Sequence, residues 1–136
     1  MDMRKIMNLM TEDDSEVGQY AADIAALPGA TLDSDEVMDA ASDYGSPEQI
    51  VHVAWEITAE MKRRRPGRFL KQFGVTNFGS ASDDQYRAVE QYFFDWAKRV
   101  GYGNDVAMEA IDFLQEEVFQ LNDLLEIYAT IMRTAR

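Results

Sequence analysis

The chain has 136 residues, 46% of them hydrophobic, with 13 basic and 25 acidic side chains and a formal net charge of −12. That length and composition suit one domain around a single core. The absence of cysteine excludes disulfides, thiolate metal sites and thiol nucleophiles together and agrees with a reducing, cytoplasmic setting.

Residues 3–10 are rich in apolar side chains (Met3, Ile6, Met7, Leu9 and Met10) around the basic pair Arg4–Lys5. This start lacks the continuous apolar stretch and small-residue cleavage site of a secretory signal. Met-rich segments adapt well to grooves, so residues 1–10 read either as a docking segment or as a helix closing the protein's own core. Thr11 and the acids that follow it favour a helix start. Val17, Tyr20, Ala21, Ile24 and Leu27 form the buried stripe of that helix, and Pro28–Gly29 ends it. Asp33 with Glu36 reads as the capping box of a short helix reaching about Tyr44.

The segment GSPEQ sets the next boundary, with Gly45 closing one helix and Ser46, Pro47 and Gln49 opening another. This helix is expected to run to about Arg65 and to stop at Pro66–Gly67. Its buried face is Ile50, Val53, Ala54, Ile57 and Met61; Trp55 projects away from it. Trp55 is therefore either a contact anchor on the surface or a side chain covered by the N-terminal helices. A short apolar piece (Phe69, Leu70, Phe73) and the glycine-rich loop GVTNFGSAS follow.

A further helix is expected over residues 83–100, capped by Ser82, with Tyr86, Val89, Phe93, Trp96 and Val100 inward. Phe94 leaves that stripe and shares a face with Arg87 and Lys98. The face suits an acidic protein surface, nucleic acid, or simply Phe94 shielded by aliphatic stems. From residue 105 to 133, Ala107, Ile111, Leu114, Val118, Leu121, Leu125, Tyr128 and Met132 alternate spacings of 4 and 3 without a break, the seam of a coiled coil or bundle. A second apolar line on this helix widens its buried arc, which makes it the expected central helix, and Phe119 points the other way. One helix of that length would reach roughly 40–45 Å at about 1.5 Å per residue. It would outrun a domain of this size, and so a second copy of the chain is an expected partner.

The fold expected is an all-α single-domain helical bundle of about five to six helices, residues 1–136, with a long C-terminal heptad-patterned helix. No apolar run approaches the ~18 residues of a membrane span.

Charge is distributed unevenly. Residues 1–60 carry fourteen acids against only Arg4 and Lys5, whereas residues 62–71 hold Lys62, Arg63, Arg64, Arg65, Arg68 and Lys71 with no acid. Part of this run caps a helix C-terminus, where cations meet the macrodipole. Arg64 and Arg65 fall beside the buried face, so this end of the helix is expected to protrude toward something acidic. The candidates are the chain's own residues 12–16, an acidic partner protein, or nucleic acid with Phe69 or Phe73 stacking.

Catalytic chemistry has little to stand on. His52 is the only histidine, in a line with Glu48, Glu56 and Glu60 at steps of four. That line allows a carboxylate–imidazole metal site but matches a solvated helix edge as well. No nucleophile elbow, Walker A or dinucleotide-binding glycine pattern is present. The composition resembles the small acidic helical products common in phages and mobile elements, a likeness of class without a motif.

The reading is a non-enzymatic protein, without cofactor or metal, that works as an adaptor, inhibitor or structural subunit. It would bind another protein and itself, the latter through residues 105–133. The candidate contact residues are Lys62, Arg63, Arg64, Arg65, Arg68, Lys71, Trp55, Arg87, Phe94, Lys98 and Phe119. The alternative is a nucleic-acid-associated protein using residues 62–71, and a carboxylate–histidine metal protein comes third.

Overall fold

The computed structural model describes residues 16–100 and 102–133. Those residues form seven α-helices and no strand: α1 (16–25), α2 (Ser34–Ala41), α3 (Pro47–Arg63), α4 (Pro66–Lys71), α5 (Asp83–Lys98), α6 (Asn104–Phe113) and α7 (Leu124–Arg133). The all-α bundle is as expected, with more helices than the five to six anticipated. The docking segment 1–10 lies outside the described residues.

Local chemistry sets most boundaries. Asp33 accepts from the Glu36 amide and Glu36 reaches back to Asp33, closing a capping box on α2. Ser82 and Gln85 do the same for α5. Ser46 precedes α3 without capping it; its hydroxyl donates to Glu48 instead, at 3.0 Å. Pro66 differs from expectation. Helix α3 ends earlier, at Arg63, Arg64 leaves it in extended backbone, and Pro66 then occupies the first turn of a new helix, α4.

Helix α3 is the centre of the bundle, where the last helix had been expected. It packs against α2, α5, α6 and α7 and buries Ile50, Val51, Val53, Ala54, Ile57, Thr58, Glu60 and Met61, more than one face of the helix. Helix α1 lies along it in the same direction. Tyr20 stacks on His52 and Trp55, Asp23 bonds to Trp55, and Leu27 shares a cleft with Ala59 and Lys62.

The long C-terminal helix does not form. Helix α6 stops at Phe113, the chain widens into a π-helical turn over Leu114–Val118, and α7 restarts at Leu124. Each of the two 10-residue helices spans only about 15 Å. Polar groups from elsewhere take up the freed backbone. The Thr31 amide donates to the Val118 carbonyl at 2.8 Å. Its hydroxyl lies within 3.0 Å of the Glu117 carbonyl and 2.9 Å of the Val118 carbonyl. The Gln115 amide holds the Asn122 carbonyl, and Asp123 caps α7 through the Glu126 amide at 2.9 Å. Gln120 takes a φ of 54° to make the corner. The bend turns Phe119 inward to 4% exposure, correcting its expected outward position.

Both apolar lines of the 105–133 region are spent inside one chain. Leu114, Val118, Leu125 and Tyr128 of the heptad seam are buried, as are Phe113, Leu124, Ile127 and Ile131 of the second line. The wide apolar arc is covered by α3 and α5, each of which packs against both α6 and α7, and the length argument for a second copy falls with the long helix. Among the described residues no helix is long and apolar enough to cross a membrane.

The α1–α2 connection docks on this bend at Gly29. Its φ is +87°, and a Cβ there would sit 2.3 Å from Thr130 Cγ2 and 3.6 Å from Phe119. Gly29→Ala is expected to lower unfolding free energy by about 2–4 kcal/mol, from left-handed strain plus overlap. Gly67→Ala, with nothing within 4 Å of the new methyl, is expected to be neutral or stabilising by up to ~1 kcal/mol. Urea denaturation of the two variants checks the contrast.

Candidate interaction surface

The six cations of residues 62–71 lie on the last turn of α3, the two-residue corner Arg64–Arg65, and α4. The corner is held from beneath by one carboxylate. Glu60 is 1% exposed and receives three donors: the Tyr92 hydroxyl of α5 at 2.5 Å, and Arg63 and Arg64 through their Nε atoms at 3.2 Å each. Burial pushes the Glu60 pKa up. The hydrogen bond from Tyr92, then those from Arg63 and Arg64, outweigh burial and hold it below the usual carboxylate range. The Tyr128 hydroxyl of α7 donates to the Arg64 carbonyl, so the chain leaving α3 is pinned as well.

Helix α4 is anchored by Phe69, 2% exposed, in a cluster of rings with Phe73, Tyr92, Phe93 and Tyr128. With Phe69 and Leu70 inward, Arg68 and Lys71 face solvent. The cations thus divide into two sets. Arg63 and Arg64 are anchored on Glu60, their side chains still 53% and 48% exposed. Lys62, Arg65, Arg68 and Lys71 are exposed and make no ion pair among the described residues. Arg64 and Arg65 were expected beside the buried face; ending α3 at Arg63 sends both outward.

Of residues 12–16, the acids expected to compensate the basic run, only Glu16 is among the described residues; it stands beside Tyr20 and the His52 turn of α3. The basic corner lies at the opposite end of α3, next to the end of α1. There Lys62 stands between two shallow clefts of about 300 and 190 Å³, both lined by Asp23 and Leu27.

The remaining candidates have other surroundings. Trp55 is half-buried: Tyr20 stacks on it with ring centroids 4.4 Å apart, and its Nε1 donates to Asp23 at 2.9 Å. Helix α1 covers it, the second of the two readings its position allowed. Lys98 pairs with Asp95 at 3.3 Å and lies over the Phe94 ring at 5.2 Å. Arg87 and Phe94 line a groove between α5 and α6, so the α5 face faces a different feature from the basic corner. Sequence reasoning missed Glu60, Tyr92 and Tyr128. The steps of three and four from Glu60 to Arg63 and Arg64 were a usable signal.

The histidine line also separates. His52 Nδ1 is 3.0 Å from the Tyr102 hydroxyl and its Nε2 is 3.7 Å from Glu56, while Glu60 is committed to the α3–α5 contact. Among the described residues no group of three His, Cys, Asp or Glu side chains is placed to hold a metal ion. Compared with known protein families, characterised proteins and solved structures, the chain matches none.

Because Glu60 has a depressed pKa in the fold, it contributes stability above the unfolded value of about 4.3. That contribution is lost as pH falls through the lower folded value. Glu60→Gln is expected to cost roughly 1.5–3 kcal/mol at pH 7, the scale of a charge-assisted hydrogen bond. The gap from the parent should narrow as pH falls below the unfolded value of about 4.3 and through the lower folded value. Urea titrations of both proteins at pH 7, 5, 4 and 3 check this.

Proposed function

We propose that the protein is a non-enzymatic interaction module that docks an acidic surface of a partner protein on the corner between α3 and α4. The observation that carries this reading is the division of the basic run. Two arginines are fixed on the buried Glu60, and four further cations stand exposed without an ion pair among the described residues. A carboxylate that costs free energy to bury orients the corner before any partner arrives, and pre-organised side chains lose less entropy on binding.

Charge favours a protein over nucleic acid as the occupant. The chain's net charge of −12 repels a polyanion at long range, and the local patch attracts it only within a Debye length of about 8 Å. A compact acidic patch on another protein fits that range. The aromatic side chains that would support nucleic-acid stacking are engaged elsewhere, Phe69 in the core and Phe73 against it. Exposed charge pairs contribute about 0.2–1 kcal/mol each, so Lys62, Arg65, Arg68 and Lys71 set orientation and on-rate more than affinity. The clefts flanking Lys62 supply adjoining apolar area through Leu27, Ala59 and Ile131.

Fluorescence anisotropy with a labelled polyglutamate peptide and a labelled single-stranded oligonucleotide tests the reading. Polyglutamate is expected to bind at low salt, weaken as salt rises, and lose about tenfold or more in affinity, roughly 1.4 kcal/mol, in the Arg65→Glu/Arg68→Glu/Lys71→Glu variant. Tighter salt-dependent binding of the oligonucleotide, lost in the same variant, would transfer the surface to nucleic acid. Binding of neither probe would contradict the proposal.

A further inference from the structure

A second surface, opposite in character, lies between α5 and α6. It is a groove of about 450 Å³, within the roughly 300–1,000 Å³ typical of ligand sites. One wall is Arg87, Glu90, Gln91 and Phe94 of α5. The other is Met108, Ile111, Asp112 and Gln115 of α6, and Leu124 of α7 completes the lining. Each wall is spaced i, i+3, i+4, i+7, so each is a single helix face about two turns, or roughly 10 Å, long. Among the described residues the exposed large apolar side chains are Tyr102 and Met108, and Met108 is the more open at 55%. The carboxylates of Glu90 and Asp112 make no hydrogen bond or ion pair among the described residues. Burial first, then Asp123, raises the Glu90 pKa against a smaller pull from Arg87. Burial first, then Glu116, raises that of Asp112. The nearby Lys98 is paired with Asp95 instead. The groove therefore holds two partly buried acids that are short of positive charge.

We infer that the groove between α5 and α6 receives a basic amphipathic helix of a partner protein, with its apolar face on Phe94, Met108 and Ile111 and its lysine or arginine side chains against Glu90 and Asp112. This inference goes beyond the role proposed for the basic corner and is independent of it.

Three observations select this occupant. The first is shape. Two helix faces of equal length that share one groove offer a third helix a seat of about two turns, enough for anchors at i, i+3 or i+4, and i+7. Met108 suits that role, since a flexible thioether adapts to the side chains it meets. The second is charge. Glu90 and Asp112 face the single cation Arg87 in the lining, with Asp123 and Glu116 close enough to act on them. A carboxylate that is partly desolvated without a donor carries an uncompensated cost, and an arriving ammonium or guanidinium group relieves it. The chain's net charge of −12 draws such a helix in and repels an acidic one. The third is what the chain itself offers. A second copy would bring its basic corner, but there Phe69 and Leu70 point inward and no large apolar side chain is exposed. The corner has the charge for this groove and lacks the apolar face to fill it.

The test uses the full-length chain and a labelled peptide of about 15–18 residues, long enough to hold a helix. The peptide carries leucine at i, i+3, i+4 and i+7 spacing and lysine elsewhere. By fluorescence anisotropy it is expected to bind about tenfold or more tightly than a scrambled peptide of the same composition. Glu90→Gln/Asp112→Asn is expected to weaken it about fivefold or more, and Met108→Ser several-fold. The control Asp39→Asn/Asp43→Asn removes the same charge from exposed positions of α2 and its end, and should change binding less than twofold. The groove variant should also be at least as stable to urea as the parent at pH 7, because raised carboxyl pKa values mean that the ionised acids are disfavoured in the fold. Equal binding of ordered and scrambled peptides, or equal losses in the groove and control variants, would reduce the effect to net charge and overturn the inference. So would a destabilised groove variant, whose acids would then have partners within the fold. Dimerisation of the parent that Met108→Ser abolishes would assign the groove to a second copy and overturn it as well.

Discussion

The carboxylate of Glu60 is the constraint on which the basic corner of this molecule depends. It is 1% exposed, and burying a carboxylate costs several kcal/mol unless donors surround it. Here they come from two helices: Tyr92 on α5, with Arg63 and Arg64 at the end of α3. That demand fixes the end of α3 against α5 and ties two half-exposed guanidinium groups to one carboxylate. The turn that follows is then short and firm, since Tyr128 of α7 holds the Arg64 carbonyl. Pro66 starts a new helix at once, and Lys62, Arg65, Arg68 and Lys71 are left facing outward. A single buried acid thus links α3, α5 and, through the pinned backbone, α7. The basic run is the outer layer of that arrangement.

The helices were legible wherever local chemistry decides. The Asp33–Glu36 box and the Ser82 cap were readable from the sequence, and the structure contains both. The C-terminal region shows where such reading ends. Its unbroken 4–3 spacing from Ala107 to Met132 describes one long helix, yet the chain bends at Leu114–Val118 and corners at Gln120. The restart had a local signal, Asp123 followed three residues later by Glu126, the pattern of a helix start. The break had none. It is stabilised by Thr31, 86 residues away in the chain from Glu117, which donates to the carbonyls that the bend exposes. Periodicity also cannot say what covers a wide apolar arc. A second chain and other helices of the same chain satisfy the same pattern, and here α3 and α5 do so.

At the candidate site, composition revealed the cations but not their division. The distinction between anchored and free depends on Glu60 turning inward, and that depends on α5 supplying a hydroxyl at Tyr92. Trp55 followed the same logic. Its angle from the buried face of α3 was correct, but whether it meets solvent or another helix depends on α1, which places Tyr20 and Asp23 over it. Phe119 was misplaced because its direction was counted on a straight helix that bends just before it. Each of these three depends on a contact distant in sequence, which no local pattern encodes.

The protein therefore carries two surfaces of opposite character, a cationic corner at one end of α3 and an apolar groove with acidic walls between α5 and α6. The central claim is that the corner, and not the groove, meets an acidic partner. Amide chemical-shift mapping of the isotopically labelled chain titrated with an acidic peptide tests it most directly. The account predicts shifts concentrated in residues 62–71 and the adjoining end of α1 around Leu27, with α6 unchanged. Shifts centred on Met108 and Asp112, or none at saturating peptide, would contradict it.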